Sequence, residues 1–342
     1  MSRSEITIDL GALRRNAATL VDAAGGAELW AVVKADAYGH GALDCARAAF
    51  EGGARALCVA TAKEGAALRA ELGDARILVL SPLAEPEEHV AREAGLEVAV
   101  STPQLPEGLT VHVKVDTGMG RFGMSPEEAA QFDPGRVAGV MSHLATADED
   151  DAAFARAQLD VLAAVAERFP GATRHIANSA ATLSIPEARL DAVRCGVALY
   201  GLSPFGRDPE EHGLEPVLSW RSYVAQAKVL RSGDSTGYGR RFVADEETRI
   251  GLVPVGYGDG FRRGLTGTEV LVADTRRRVL GTVSMDSFAV ELGGEPEGAP
   301  VTLVGDGVLV EEHARHAGMI NYEITTGMVS DPRRAERRVV DG

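Results

Sequence analysis

The sequence predicts a (β/α)8 TIM barrel over residues 1–212, an α/β fold, followed by a mainly β carboxy-terminal domain over residues 213–342. Three observations lead there. Eight short apolar runs rich in Val and Leu follow one another in the first two-thirds of the chain. Continuous runs of that length suit strands buried on both faces of a parallel sheet. Most of the segments between them are amphipathic, as crossover helices are, for example 62–72 and 154–169. From about residue 213 the pattern changes to alternating or apolar stretches separated by Gly, Asp and Pro, which is the signature of an all-β region.

In order, residues 5–8 form a leading strand, and Asp9 caps a helix with Leu10, Leu13 and Leu20 on one face. The eight runs are LWAVVK (29–34), ALCVA (56–60), RILVL (76–80), LEVAV (96–100), TVHVKVD (110–116), VAGVM (137–141), RHIAN (174–178) and VRCGVALYG (193–201). Their regularity favours a closed barrel over an open doubly wound sheet. One connection is irregular: STPQLPEG (101–108) is too short and too rich in proline for a helix. The β region comprises SWRSYVAQAKVL, TRIGLVPVGYG, TEVLVAD, RRRVLGTV, SFAVEL and PVTLVG, with helices at 310–318 and from Asn321.

Composition narrows the function classes. The 342 residues suit about two domains. Lys+Arg is 35 against 50 Asp+Glu, a net charge of −15 that repels both nucleic-acid phosphates and anionic membranes. No signal peptide or transmembrane run is read, and three cysteines form neither a disulfide framework nor a metal-ligand spacing. A cytoplasmic protein without a metal is expected. Only four of the 35 basic residues are lysines (Lys34, Lys63, Lys114 and Lys228), so amine chemistry has few candidates.

Active sites of such barrels lie at the carboxy-terminal ends of the strands. There the first run ends in Lys34, with Tyr38 shortly after; the fifth carries Lys114, Asp116 and Arg121. The sixth ends at His143, the seventh at Asn178 and Ser179, and the eighth holds Arg194, Gly196 and Val197. A lysine closing an apolar strand is desolvated, which lowers its pKa and makes it a candidate for Schiff-base chemistry. Phosphate sites of these barrels commonly follow strands seven and eight, where Ser179 and the Gly196–Val197 backbone fall. Gly118–Gly123 fits GxGxxG, but the next strand ends in Ser142-His143 where a dinucleotide site needs an acid. Those glycines are better read as a turn that aims Arg121.

With these residues in hand, the chain resembles the alanine racemases, pyridoxal-phosphate enzymes of fold type III, from about Glu5 to Met328. The motifs are AVVKADAYGHG (31–41), KVDTGMGRFG (114–123), SHLATADE (142–149), HIANSAAT (175–182), VRCGVALYGL (193–202), TGYGRRF (236–242), VPVGYGDGFRR (253–263), GTVSMD (281–286) and NYE (321–323). The resemblance implies that Lys34 carries pyridoxal 5′-phosphate and serves as acid and base on the D-face of Cα, with Tyr238 serving the L-face. It implies that Arg194 faces the pyridine nitrogen, near His143. Tyr38, Asn178, Ser179, Gly196, Val197 and Tyr322 bind the cofactor, chiefly its phosphate. Arg121 and the Met285 backbone hold the substrate carboxylate, with Lys114 (often carbamylated in the family) steadying Arg121 and Asp286 in support. Asp148, His175, Tyr257 and Arg263 line the substrate entrance. A head-to-tail homodimer sharing its active sites is implied, interconverting L- and D-alanine for peptidoglycan.

The chain departs from the family in the short 101–108 connection, in GYGDG for GYADG, and in Thr282 where some members have arginine; the tail beyond Met328 matches poorly. Two rival readings stand beside this one. The first is a broader or serine-preferring racemase of the same fold. The second is a non-catalytic pyridoxal-phosphate carrier, disfavoured because carriers of that kind lack the β domain that supplies Tyr238 and Met285.

Overall fold

The computed structural model describes residues 2–342. The chain divides into two compact units: Leu13–Phe205 with Pro209–Glu215, and the chain up to Ala12 with Gly206–Asp208 and Pro216–Gly342.

In chain order, the strands begin with β1 (Glu5–Asp9), which belongs to the second unit. The first unit is a closed parallel barrel of β2 (Glu28–Val32), β3 (Ala56–Val59), β4 (Ile77–Val79), β5 (Glu97–Val100), β6 (Thr110–Lys114), β7 (Val137–Met141), β8 (Thr173–His175) and β9 (Ala192–Cys195). The strands fall on the eight apolar runs, although β2, β8 and β9 begin one residue earlier and β8 takes in only Arg174 and His175 of RHIAN. Strands β3 and β4 are buried at every position, because helices cover the outside and neighbouring side chains fill the inside. The helix Leu10–Ala24 starts where Asp9 Oδ1 accepts from the Ala12 N–H at 3.0 Å, and it buries Leu13, Ala17 and Leu20. The helix Ala62–Leu72 opens with a capping box between Thr61 and Glu64. No helix joins β5 to β6, as the prolines of 101–108 require.

The second unit is built on β10 (Leu218–Tyr223), β11 (Gln226–Leu230), β12 (Ser235–Thr236), β13 (Phe242–Val243), β14 (Thr248–Val253), β15 (Glu269–Val272), β16 (Thr275–Leu280), β17 (Phe288–Glu291), β18 (Pro300–Val304) and β19 (Glu336–Val340). Nine strands form one sheet in the order β11-β14-β17-β16-β15-β18-β10-β1-β19, and β12 and β13 form a separate hairpin. The 218–230 segment is two strands. Val224 N–H donates to Ala299 O and Ala225 N–H to Leu252 O, so the chain changes neighbours between them. Helices follow at Val310–Ala317 and Asn321–Thr326. The tail is structured: β19 pairs in parallel with β1, from Glu5 opposite Glu336 to Asp9 opposite Val340. Its largely exposed side chains give it no apolar face to read, and backbone pairing holds it. Among the described residues, no helix is long and apolar enough to cross a membrane.

Candidate active site

The barrel site starts with Lys34, two residues beyond β2. The four residues after it, Ala35, Asp36, Ala37 and Tyr38, all have φ between 52° and 56°, a left-handed turn made without glycine. Such a run needs support, because the left-handed region crowds Cβ against the backbone. Glu64 Oε1 accepts from the Ala35 N–H at 2.8 Å while Oε2 accepts from Ala60 and Thr61, and Asp36 Oδ1 accepts from the Ala42 N–H at 2.7 Å. Loss of hydration pulls the Lys34 amine below its ordinary pKa, and Arg121 adds to the effect.

Tyr38 is buried against Gly196, where a Cβ would lie 2.5 Å from the Tyr38 hydroxyl. Only glycine fits there. Ser179 Oγ accepts from the Gly196 N–H at 3.1 Å and the Ala198 N–H at 3.4 Å. Val197 is buried in the same turn, and Asn178 Oδ1 caps the helix Ser179–Ser184 by accepting from the Ala181 N–H at 3.0 Å. Two hydroxyls and a run of backbone amides therefore share one corner of the rim, a set suited to phosphate oxygens.

Beside it Arg194 is buried on β9. Its Nη1 donates to His175 Nδ1 at 2.8 Å and its Nη2 to Ser142 O at 2.7 Å, with His143 Nδ1 at 3.4 Å from Nη2. Burial lowers Arg194 to about 10, which leaves it charged at neutral pH. Burial and then the Arg194 charge press His143 down to about 3. Lys114 falls to about 8 for the same two reasons, with Arg121 and Lys34 contributing. Its Nζ lies 3.5 Å from Leu80 O and 5.7 Å from the centre of the Phe122 ring.

Other expected residues fall as follows. Arg121 is exposed on the loop after β6, whose Gly118 and Gly120 N–H groups donate to Asp116 Oδ1 at 3.0 and 3.1 Å. Met124 N–H then donates back to Lys114 O, so the GxGxxG segment closes as a loop on its own strand. As an ammonium, Lys114 repels Arg121; the two lack the pairing expected of a brace. His175 is a correction: it is wholly buried in the barrel beneath Arg194 and does not line an entrance. Asp148 is exposed after β7.

In the β unit, Tyr238 is 73% exposed at the turn between β12 and β13, and its carbonyl accepts from Thr282 Oγ1 at 2.8 Å. Met285 is 53% exposed and its carbonyl accepts from the Gly258 N–H at 2.8 Å. Tyr257 and Arg263 are exposed, and Tyr322 is half-buried on the helix Asn321–Thr326. Asp286 Oδ1 accepts from Arg334 Nη2 at 2.7 Å. Sequence reasoning misses Asp259. Its buried carboxylate accepts from Arg3, Arg334 and the Gly256 N–H, fixing the loop that carries Tyr257. The available signal is an Asp three residues after Gly256, a capping spacing. Glu97 and His112 are missed as well. The alternation of TVHVKVD puts His112 on the same strand face as Lys114, and that period could have found it.

Two buried histidines and the half-buried His143 set the acid stability of the barrel. His112, His143 and His175 are held neutral by burial, whereas in an unfolded chain each titrates near 6.5. The unfolded chain then binds more protons in this window, so stability falls as pH drops below about 6.5. Each such histidine removes about 1.4 kcal/mol per pH unit. Glu97, held low in the fold, adds to the loss at lower pH. Urea midpoints measured from pH 7.5 to pH 5 are expected to fall steeply, and a flat profile would refute the neutral, buried assignment.

Residues 8–204 match the family described as "Alanine racemase, N-terminal domain" and residues 217–338 match "Alanine racemase, C-terminal domain". An alanine racemase of Streptomyces coelicolor is 40% identical, the alignment covering 95% of this chain and 93% of that protein. The crystal structure of alanine racemase from D-cycloserine-producing Streptomyces lavendulae superposes with a TM-score of 0.93 at 36% identity, covering 100% of this chain and 98% of that one. Alanine racemase from Bartonella henselae, whose structure has covalently bound pyridoxal phosphate, gives 0.91 at 27% identity over 98% of this chain and 99% of that one. With both halves of the sequence matched and the barrel and β sheet shared with these neighbours, the chain belongs to the alanine racemase family.

Proposed function

We propose that the protein interconverts L- and D-alanine with pyridoxal 5′-phosphate held at the barrel mouth. The observation that carries this reading is Lys34: an amine with a lowered pKa, fixed by a supported left-handed turn beside a corner of hydroxyls and backbone amides. That corner fits the cofactor's phosphate, with Tyr38, Ser179, Gly196 and Val197 as its holders and Asn178 shaping the helix start; Tyr322 is the further phosphate partner the family resemblance implies. The Bartonella neighbour, with its covalently bound pyridoxal phosphate, supports the same choice. When bound, the cofactor supplies an aldehyde that condenses with amines and a conjugated ring that accepts the electron pair left at Cα.

The residues of the chain do the rest. Racemisation takes a proton from one face of Cα and returns one to the other, so two opposed groups serve it: the Lys34 amine on the D-face and the Tyr238 phenol on the L-face. Arg194, charged up to about 10, would hold the cofactor's ring nitrogen as a hydrogen-bond donor and disfavour a proton there. Arg121 and the Met285 N–H hold the substrate carboxylate. Lys114, lowered to about 8, has a neutral fraction at physiological pH, the form that adds CO2; a carbamate there reverses the local sign and braces Arg121. Asp148, Tyr257 and Arg263 shape the entrance, and Asp286 anchors the Met285 loop through Arg334. The exposed Tyr238 is offered to a second copy in a head-to-tail homodimer. The product, D-alanine, feeds peptidoglycan in the cytoplasm.

The test is a racemisation assay across the amino acids with purified protein and added cofactor. Alanine is expected to turn over fastest in both directions. Faster turnover of serine would assign a serine racemase, and cofactor binding without turnover would refute the racemase reading.

A further inference from the structure

Arg194 lies buried in the barrel and makes no ion pair among the described residues. A buried cation without a counter-ion is strongly disfavoured, so its compensation has to arrive from further away. The hydrogen bonds lead to it. A guanidinium only donates, so His175 Nδ1, 2.8 Å from Arg194 Nη1, carries no proton. The His175 proton is then on Nε2, which donates to His112 Nδ1 at 2.8 Å. That leaves the His112 proton on its own Nε2, donating to Glu97 Oε2 at 2.8 Å. Glu97 Oε1 accepts from Arg76 Nε at 2.7 Å. Every link fixes the tautomer of the next.

The chain crosses the barrel from Glu97, the first residue of β5, through β6 and β8 to Arg194 on β9. Its walls are shaped around it. Trp30 contacts both imidazoles, with ring centres 5.8 and 4.6 Å away. On β7 a Cβ at Gly139 would lie 2.0 Å from His112 Nδ1. Both histidines are wholly buried and kept neutral by burial. Burial works to raise the Glu97 carboxyl, but the hydrogen bonds from His112 and Arg76 hold it low and ionised. Packed apolar side chains would fill such a barrel at less cost than three buried polar groups tied to a half-buried carboxylate. A fully connected network instead fixes proton positions.

We infer that Glu97 is the remote counter-ion of Arg194, coupled to it through His112 and His175, and that it is a positioning residue for racemisation. This rests on the reading of Arg194 as partner of the cofactor's ring nitrogen. The aligned imidazoles carry the carboxylate's influence across the barrel, keep the guanidinium protonated and hold its plane. Without the charge at Glu97, His175 is free to take the opposite tautomer, which sets an N–H against an N–H and displaces Arg194.

Two measurements test this. In 15N-histidine-labelled holoenzyme, two-bond 1H–15N correlation is expected to show His112 and His175 both protonated only on Nε2 at pH 7. An Nδ1 proton on His175, or an imidazolium at either position, would overturn the relay. Glu97→Gln keeps an acceptor for His112 and removes the charge. It is expected to lower kcat about tenfold in both directions, the usual scale for loss of an outer partner of a catalytic group, with KM little changed and the pH titration of the cofactor's visible band shifted. Glu97→Asp is expected to restore part of the loss. An unaltered kcat and titration in Glu97→Gln would overturn the proposal, and the tautomer measurement on the parent protein decides it if that variant does not fold. A parent protein that binds no cofactor or racemises nothing refutes the functional reading instead, and the tautomer pattern then decides the relay on its own.

Discussion

Replacing Lys34 with alanine is expected to remove the visible absorbance of the purified protein and to lower racemisation by about 10⁴-fold or more, the upper end of what one acid–base group contributes. Two losses combine in that variant. On the proposed roles, the amine that fixes the cofactor is gone, and so is the group that moves the proton on the D-face. No other lysine can replace it. Lys114 sits on β6 among Arg194, Arg121 and Lys34, which all oppose its charge, while Lys63 and Lys228 are exposed. Lys63→Ala is the matched control and is expected to leave both spectrum and rate unchanged. Alanine at 34 removes no backbone contact of the left-handed turn, because Glu64 holds that turn through the Ala35 N–H. A Lys34→Ala protein with an unchanged spectrum would sink the cofactor assignment.

Tyr238→Phe is expected to act on one direction of exchange. The ring stays and only the hydroxyl goes, and the turn is held by the Tyr238 carbonyl on Thr282, so the β12–β13 hairpin keeps its shape. Cofactor binding should persist. Exchange of the Cα proton of L-alanine with solvent should slow by roughly 10²- to 10³-fold, and that of D-alanine far less. Equal slowing of both would refute two opposed bases. Mixed dimers of Lys34→Ala and Tyr238→Phe subunits should regain one good site, since each variant supplies what the other lacks. Absence of any recovery would count against shared sites.

The barrel is legible because its strands are buried on both faces, which writes them into the sequence as unbroken apolar runs from LWAVVK to VRCGV. The missing crossover after β5 is legible for a related reason: prolines in 101–108 cannot continue a helix. The tail is not. ERRVV has no buried face, and β19 exists through its backbone pairing with β1, a partner more than 300 residues away in sequence. At the site, Lys34, Tyr38, Ser179 and Arg194 can be found because strand ends are where barrels keep polar groups. His175 is misplaced because a histidine at a strand end reads the same whether it faces solvent or the interior. Only the contact with Arg194 and His112 separates the two cases. Glu97 lies hidden for a simpler reason: it stands at the wrong end of its strand for a catalytic group.

The left-handed turn after Lys34 has a consequence for how the molecule fails. Four residues in that region together store roughly 4–8 kcal/mol, at 1–2 kcal/mol each, against hydrogen bonds anchored by one exposed-edge glutamate and one aspartate. Strands β2 and β3 carry no such burden. Local opening therefore begins at residues 35–38, well below the free energy needed to part the barrel. Loss of the Lys34 geometry and unfolding of the barrel are then separate events: on warming, cofactor absorbance is expected to change before the far-UV circular dichroism does.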